Sequence, residues 1–122
     1  MTGEGRWRVL IVVKHPLFRE TVRYVLTTDP HFSVVAEVGS GEEAVAITRQ
    51  IELDLALIEM RLPEMNGLAT AAAIKANQPR IIILILSGEW SPAYERRARA
   101  IGVRARLAKQ NFSLSELYRA LG

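Results

Sequence analysis

The stretch Ala56–Gly67, ALIEMRLPEMNG, decides how the rest of this chain is read. Together with Leu55, its first three residues make the apolar run LALI, which meets Glu59 and then breaks into Arg-Leu-Pro-Glu-Met-Asn-Gly. A short apolar run closed by turn residues reads as the end of a buried strand and the loop after it. Glu59 is therefore expected at the carboxyl end of a central strand. In open α/β sheets that rim is where ligands and chemistry are found, so the carboxylate needs a partner or a task.

Working outward, strand-like runs alternate with helical patterns five times. Arg8–Val13 (RVLIVV) is nearly all apolar, as a strand covered on both faces should be. Pro16 can open the next helix, along which Phe18, Val22, Val25 and Leu26 fall at helical spacing. Ser33–Val38 is a second strand. Ser40 and Glu43 have the spacing of a capping box, so a helix starts there. An Ala-rich helix follows the opening stretch from about Leu68 to Asn77. Ile81–Leu86 (IIILIL) reads as a central parallel strand, and Ser91-Pro92 as an N-cap with the first residue of a fourth helix ending near Gly102. Val103, Ala105 and Leu107 alternate with Arg104 and Arg106, the pattern of an edge strand with one wet or partner-facing side. Ser113 and Glu116 form a second capping box, with Leu114, Leu117, Tyr118 and Leu121 lining one side of the last helix.

Five strands alternating with five helices imply a parallel sheet covered on both faces. The expected architecture is a flavodoxin-like (βα)5 three-layer α/β sandwich with strand order 2-1-3-4-5, which opens a crevice between strands one and three. The segments VVKHP, after strand one, and IEMRLPEMNG, after strand three, converge there.

Size and composition fit this frame. The 122 residues suit one domain spanning the chain, with residues 1–6 expected as a flexible tail. At 49% hydrophobic residues a core of ordinary size can form, and the absence of cysteine excludes disulfides and thiolate metal sites. No apolar run reaches the length of a membrane span and no signal peptide is visible, so a cytoplasmic location is expected. The net charge of +3 is unevenly placed: residues 1–87 carry nine Lys and Arg against ten Asp and Glu, whereas residues 88–122 carry seven against three. Such asymmetry marks either a solvated helix face or a surface for nucleic acid or an acidic partner.

The motifs resemble the response-regulator receiver family over almost the whole chain. VLIVVKHPLFRETVRYVL is similar to the family's first strand and helix, and ALIEMRLPEMNGL to its phosphorylation loop. ILILSGEW supplies the family's switch hydroxyl at Ser87, and RLAKQ its lysine at Lys109. The His-Pro-Leu-Phe-Arg run, with no proline after Lys109, resembles the subfamily usually joined to a LuxR-type helix-turn-helix. The resemblance implies a two-component regulator whose receiver controls a DNA-binding output. In such receivers two acids after strand one and an acceptor aspartate hold Mg²⁺ through hard oxygen ligands. The aspartate attacks phosphorus, while the metal and the lysine neutralise the transferred group.

Here the chain departs from the pattern. Val13 and Lys14 stand where the acid pair belongs, Glu59 replaces the acceptor aspartate, and Arg106 occupies the place of the rotating aromatic on strand five. The expectation is a degenerate phosphoacceptor pocket of Glu59, Val13, Lys14, Ser87 and Lys109 that takes no metal or cofactor, performs no catalysis and is not phosphorylated by the usual route. Lys14 is expected to stand in for the metal and pair with Glu59, with Lys109 reaching it from the other side. Glu59 could instead act as a fixed phosphate mimic, though with a smaller charge than a phosphoryl group. Ser87 is expected either to bond Glu59 or to cap its loop, Trp90 to cover the pocket, and Trp7 to pack beside strand one. His15 and His31 have no partner at metal-ligand spacing.

Arg96, Arg97, Arg99, Arg104 and Arg106 fall on the fourth helix and fifth strand, the face through which receivers often dimerise or meet an output domain. A homodimer or an output domain is the expected partner there, DNA is expected only through a further domain, and a histidine kinase partner is left open. Two rivals stand: a receiver phosphorylated on a neighbouring side chain, and a flavodoxin-like ligand-binding domain. Against the latter, KHPLF offers no Gly or Ser/Thr cluster to cradle phosphate.

Overall fold

The computed structural model describes residues 5–122. Residues 1–4, most of the expected N-terminal tail, lie outside the described residues. The elements alternate as β1 (Trp7–Val12), α1 (Pro16–Thr27), β2 (Phe32–Val38), α2 (Gly41–Thr48), β3 (Leu55–Glu59), α3 (Gly67–Asn77), β4 (Ile82–Ser87), α4 (Pro92–Ile101), β5 (Ala105–Ala108) and α5 (Leu114–Leu121), with a 3₁₀ turn at Lys109–Asn111 before α5. All strand pairs are parallel, in the order β2-β1-β3-β4-β5. This is the doubly wound flavodoxin-like sandwich.

Strand periodicity divides the core in two. Leu10 and Val12, Ala56 and Ile58, and Ile83 and Ile85 face one side, where Ala44 of α2, Leu68, Ala71 and Ile74 of α3 and Ala98 of α4 cover them. Val9, Ile11, Leu55, Leu57, Leu84 and Leu86 face the other, covered by Val22 and Leu26 of α1 and Leu117 of α5. Consecutive residues thus enter opposite layers, which is why the central strands read as continuous apolar runs. Trp7 packs at the edge of the α1/α5 layer.

The helix starts follow their cap residues. Ser40, Asn66, Ser91 and Ser113 each accept a backbone N–H three residues on. α4 ends at Gly102, whose φ of 99° is the left-handed conformation that a side chain resists. The fifth strand is shorter than the alternation predicts: Val103 and Arg104 precede β5. The Val103 amide instead closes on the Ala98 carbonyl behind Gly102, while the Arg104 amide donates to the Ile83 carbonyl of β4 at 2.8 Å, so the helix cap takes only the first residue of the apparent strand.

The loop after β3 is set by backbone crowding. A Cβ on Gly67 would lie 2.6 Å from the Glu59 carbonyl oxygen and 2.8 Å from Met60 Cα. Gly67 N donates to the Met60 carbonyl at 2.8 Å, and Asn66 Oδ1 caps α3 through Ala69 N at 2.9 Å. The Asn-Gly pair therefore seats the start of α3 directly on the tip of β3, and only glycine fits that approach.

The far end of α5 is fastened to the α1–β2 turn. Tyr118 Oη donates to Asp29 Oδ2 at 2.5 Å, His31 lies 2.8 Å from the other carboxylate oxygen, and the Phe32 and Tyr118 rings meet at 5.5 Å. The hydrogen bond to Asp29 pushes the Tyr118 phenol up to about 12, and the same bond, with support from the His31 amide, holds the Asp29 carboxyl below its usual range. A phenol raised above its unfolded value near 10 contributes stability that is complete below that pH and lost as pH rises toward 12. Ultraviolet phenolate titration should place one tyrosine midpoint near 12, and Asp29→Asn should move that midpoint back toward 10.

Candidate functional site

Glu59 ends β3 inside the fold, with a side chain only 5% exposed. A buried carboxylate must have its oxygens satisfied. Oε1 accepts the backbone N–H of Lys14 at 3.0 Å, and Oε2 accepts the ammonium of Lys109 at 2.5 Å. Lys109 itself lies 4.7 Å above the Phe18 ring of α1, and Phe18 packs edge-on against Phe112. One side chain on β3 thereby ties the tip of β1 to the end of β5.

The β1–α1 loop is held to receive that bond. Val13 is fully buried in the α1/α5 layer, its N–H donates to the Val38 carbonyl, and its carbonyl accepts Arg19 Nη1 at 3.1 Å. Arg19 and Arg23 in turn flank Glu37 on β2. The loop amide at Lys14 is thus aimed at Glu59 by backbone packing, whatever the Lys14 side chain does.

The expected Lys14–Glu59 ion pair is not formed, and this corrects the sequence reading. Lys14 is exposed, and it is its amide, not its ammonium, that meets the carboxylate. Glu59 is longer than aspartate, and its head reaches the loop backbone, leaving no room for a cation between the two. Lys109 supplies the one ion pair that Glu59 makes among the described residues.

Of the two readings open for Ser87 the loop cap is the one formed, and the expectation for Trp90 is not met. Ser87 does not bond Glu59: its hydroxyl donates to the Glu89 carbonyl and accepts the Glu89 amide, capping its own loop. Trp90 does not line the cavity beside Glu59. It donates to Glu95 at 2.8 Å, stacks obliquely on Tyr94 and packs toward the α2/α3/α4 layer. Arg99 and, after it, Trp90 hold the Glu95 carboxyl below its usual range by hydrogen bonding. The residues at the rim are instead Arg61 and Glu89, both largely exposed and 3.3 Å apart. Sequence reasoning passed over both. Arg61 could have been suspected from its place two residues beyond Glu59; Phe18 carried no signal beyond its place in the α1 apolar stripe.

Two adjoining cavities open on this rim. One, about 230 Å³, lies among Glu59, Arg61, Ser87, Glu89 and Lys109; the other, about 390 Å³, among Lys14, His15, Pro16, Glu59, Arg61 and Lys109. Arg106 sits behind the first. Its Nη2 donates to the Ser87 carbonyl at 3.0 Å, and its Nε is buried without a partner. It is half-buried, so it belongs less to the open face of α4 than its place in the arginine series suggests.

The donor set does not suit a divalent metal. Hard cations need several oxygen ligands. The pocket provides one carboxylate, both of whose oxygens already accept hydrogen bonds, flanked by the apolar Val13 and two lysines. Among the described residues no group of three or more His, Cys, Asp or Glu could hold a metal ion.

An acid at the tip of β3, a hydroxyl at the end of β4 and a lysine following β5, on a sheet of this order, form the framework of a receiver domain. The model of the response regulator receiver domain matches residues 9–121, and the chain belongs to that family. It is 36% identical over 90 residues to the nitrate/nitrite response regulator protein NarP of Escherichia coli, covering 72% of this chain and 42% of NarP. It is also 35% identical over 85 residues to a protein-glutamate methylesterase/protein-glutamine glutaminase of Nitrosospira multiformis, covering 70% of this chain and 24% of that protein. A solved LuxR-family two-component response regulator from an Aurantimonas species shares 26% identity at a TM-score of 0.86, covering 95% of this chain and 82% of the other. The chain spans less than half the length of the curated relatives it matches. Among the described residues no helix is long and apolar enough to cross a membrane.

The geometry separates the two lysines. Glu59→Ala leaves the Lys109 ammonium and the Lys14 amide without their acceptor. Breaking a fully buried pair costs about 3–5 kcal/mol; with Lys109 a third exposed, about 1–3 kcal/mol is expected in denaturant unfolding. Lys14→Ala, which keeps the amide, should change stability by less than about 0.5 kcal/mol.

Proposed function

We propose that this receiver signals without phosphoryl transfer to Glu59, as a non-catalytic interaction module of a transcription regulator whose output is a LuxR-type DNA-binding domain. The observation that carries the reading is the full engagement of the Glu59 carboxylate: one oxygen on the Lys14 amide, the other on the Lys109 ammonium, with no second acid beside it. Either oxygen that could advance on phosphorus is already engaged by a donor of this chain, and near-attack geometry tolerates little displacement. In the second-acid position, Val13 offers no ligand and Lys14 places a positive charge nearby.

The same bonds weigh against Glu59 as a standing phosphate mimic. Its single negative charge is matched by Lys109 at 2.5 Å, whereas a phosphoryl group brings roughly −1.5 to −2. The loop after β4 is not drawn to Glu59 either, since Ser87 bonds within that loop. A state fixed by the Glu59–Lys109 pair, and changed by whatever binds elsewhere on the domain, fits these contacts better than a domain locked as if phosphorylated. Support for the DNA-binding output comes from the His-Pro-Leu-Phe-Arg run at residues 15–19 and from likeness to the LuxR-family regulator.

Intact mass spectrometry tests the reading. After incubation with acetyl phosphate and Mg²⁺ the chain should keep its unmodified mass. The triple variant Val13→Asp, Lys14→Asp, Glu59→Asp, which restores an acid pair and an aspartate, should gain one phosphoryl group in the same reaction. A phosphoryl group on Glu59 of the unaltered chain overturns the proposal.

A further inference from the structure

We propose that the Asn66–Gly67 peptide bond is a site of spontaneous covalent modification that the folded rim holds shut, so that deamidation of Asn66 is coupled to opening of the loop between β3 and α3. The chemistry is attack of a main-chain amide on a side-chain amide, with water and hydroxide as the only other reactants. The inference stands whether or not Glu59 can accept a phosphoryl group.

The chain has three asparagines, Asn66, Asn77 and Asn111, which are followed by Gly67, Gln78 and Phe112. Only after Asn66 does no side chain shield the next main-chain nitrogen. That nitrogen attacks Asn66 Cγ once it has lost its proton to hydroxide. A bond forms between Gly67 N and Asn66 Cγ, the Cγ–Nδ2 bond breaks, and Nδ2 leaves as ammonia after taking a proton from water. Water then opens the five-membered imide at either carbonyl, which gives aspartate or isoaspartate. Asn66 is exposed, so water reaches its side chain.

The fold withholds the attacking group. Gly67 is buried, and its N–H donates to the Met60 carbonyl at 2.8 Å. The carbonyl of the same peptide unit, that of Asn66, accepts both the amide and the hydroxyl of Thr70, each at 2.9 Å, and Thr70 is fully buried. Asn66 Oδ1 is itself engaged by the Ala69 amide at 2.9 Å. Ring closure swings the Gly67 nitrogen toward Cγ, so the Asn66 ψ of 175° must change and the bonds on both sides of this peptide unit must break. The two products then differ in fate. Aspartate keeps an oxygen in the capping place and is a favoured N-cap. Isoaspartate inserts one more carbon into the main chain before Gly67. The backbone there is already so crowded that a Cβ on Gly67 would lie 2.6 Å from the Glu59 carbonyl oxygen and 2.8 Å from Met60 Cα. The lengthened chain cannot seat α3 on the tip of β3, and a molecule that opens and converts this way does not close again.

The test incubates the whole chain at mildly alkaline pH, in native buffer and in concentrated urea, and reads residue 66 by peptide mapping. Urea should yield both aspartate and isoaspartate. Conversion in native buffer should be slower by at least about tenfold, as befits a group released only by local opening. Hydrogen exchange of the Gly67 amide should be slowed to a similar degree, because one bond guards both reactions. The isoaspartyl form, separated by chromatography and returned to native buffer, should melt below the parent chain, and the aspartyl form should melt with it. Any of four results overturns the proposal: no conversion in urea, conversion as fast in native buffer as in urea, a Gly67 amide that exchanges freely while conversion stays slow, or an isoaspartyl form that melts with the parent.

Discussion

A carboxylate buried at the tip of the middle strand must be answered on both of its oxygens, and the upper rim of this sheet is organised around that demand. Glu59 draws in the amide that follows β1 on one side and the lysine that follows β5 on the other. These groups come from sequence positions 45 and 50 residues away, so the pair of bonds closes long loops that the parallel sheet has already brought together. The desolvation of Glu59 makes the arrangement asymmetric in its consequences. With both partners present the charge is tolerated; with either removed, an uncompensated buried group remains. The surrounding packing of Val13, Phe18 and Phe112 fixes where those partners stand.

The length of the glutamate side chain at this place is therefore coupled to its neighbours. An extra methylene in a receiver pocket is awkward if a metal and a phosphoryl group must fit around the oxygens. In this chain the added length spans the gap to the loop backbone, and the apolar Val13 fills the layer beneath. Lys14 then carries no burden at Glu59 beyond its amide. A side chain at that position is free to be cationic because nothing in the pocket requires it to be otherwise, and its charge remains at the mouth of the cavity beside His15 and Arg61.

Much of the fold could be read in the sequence because its signals are local. Four-residue and longer apolar runs marked β1, β3 and β4, capping residues marked α2, α4 and α5, and the Pro-Glu-Met-Asn-Gly loop marked the rim. The start of the fifth strand was misjudged because alternation begins at Val103, whose amide is diverted by the Gly102 cap. The convergence of Lys14, Glu59 and Lys109 was legible from topology, but not which atoms would meet. Every residue carries an amide, so a pattern of side-chain types cannot announce a backbone donor. The same limit explains Trp90: an aromatic after a pocket loop looks like a cover, yet a carboxylate five residues on captured its indole N–H. For Ser87 the sequence left two readings open, and the loop cap, with both partners two residues away, is the one formed.

Arg106 carries the consequence furthest. An aromatic ring at this position would have few polar demands to satisfy and could rotate freely. A guanidinium cannot move so freely: its five donors need acceptors wherever it goes. Here one donor holds the Ser87 carbonyl and another, Nε, is buried with no acceptor. The side chain is thus anchored to the β4–α4 loop from beneath while bearing an unmet polar group, and the loop's hydroxyl is turned back on itself above. Motion of this loop must break a charge-assisted bond to the backbone rather than rotate a ring. The carboxylate end of the pocket and the arginine end of the edge strand are consequently fixed by separate contacts with no shared side chain. Events at Glu59 therefore have no side-chain bond to the β4–α4 loop through Ser87, whose hydroxyl is spent on Glu89.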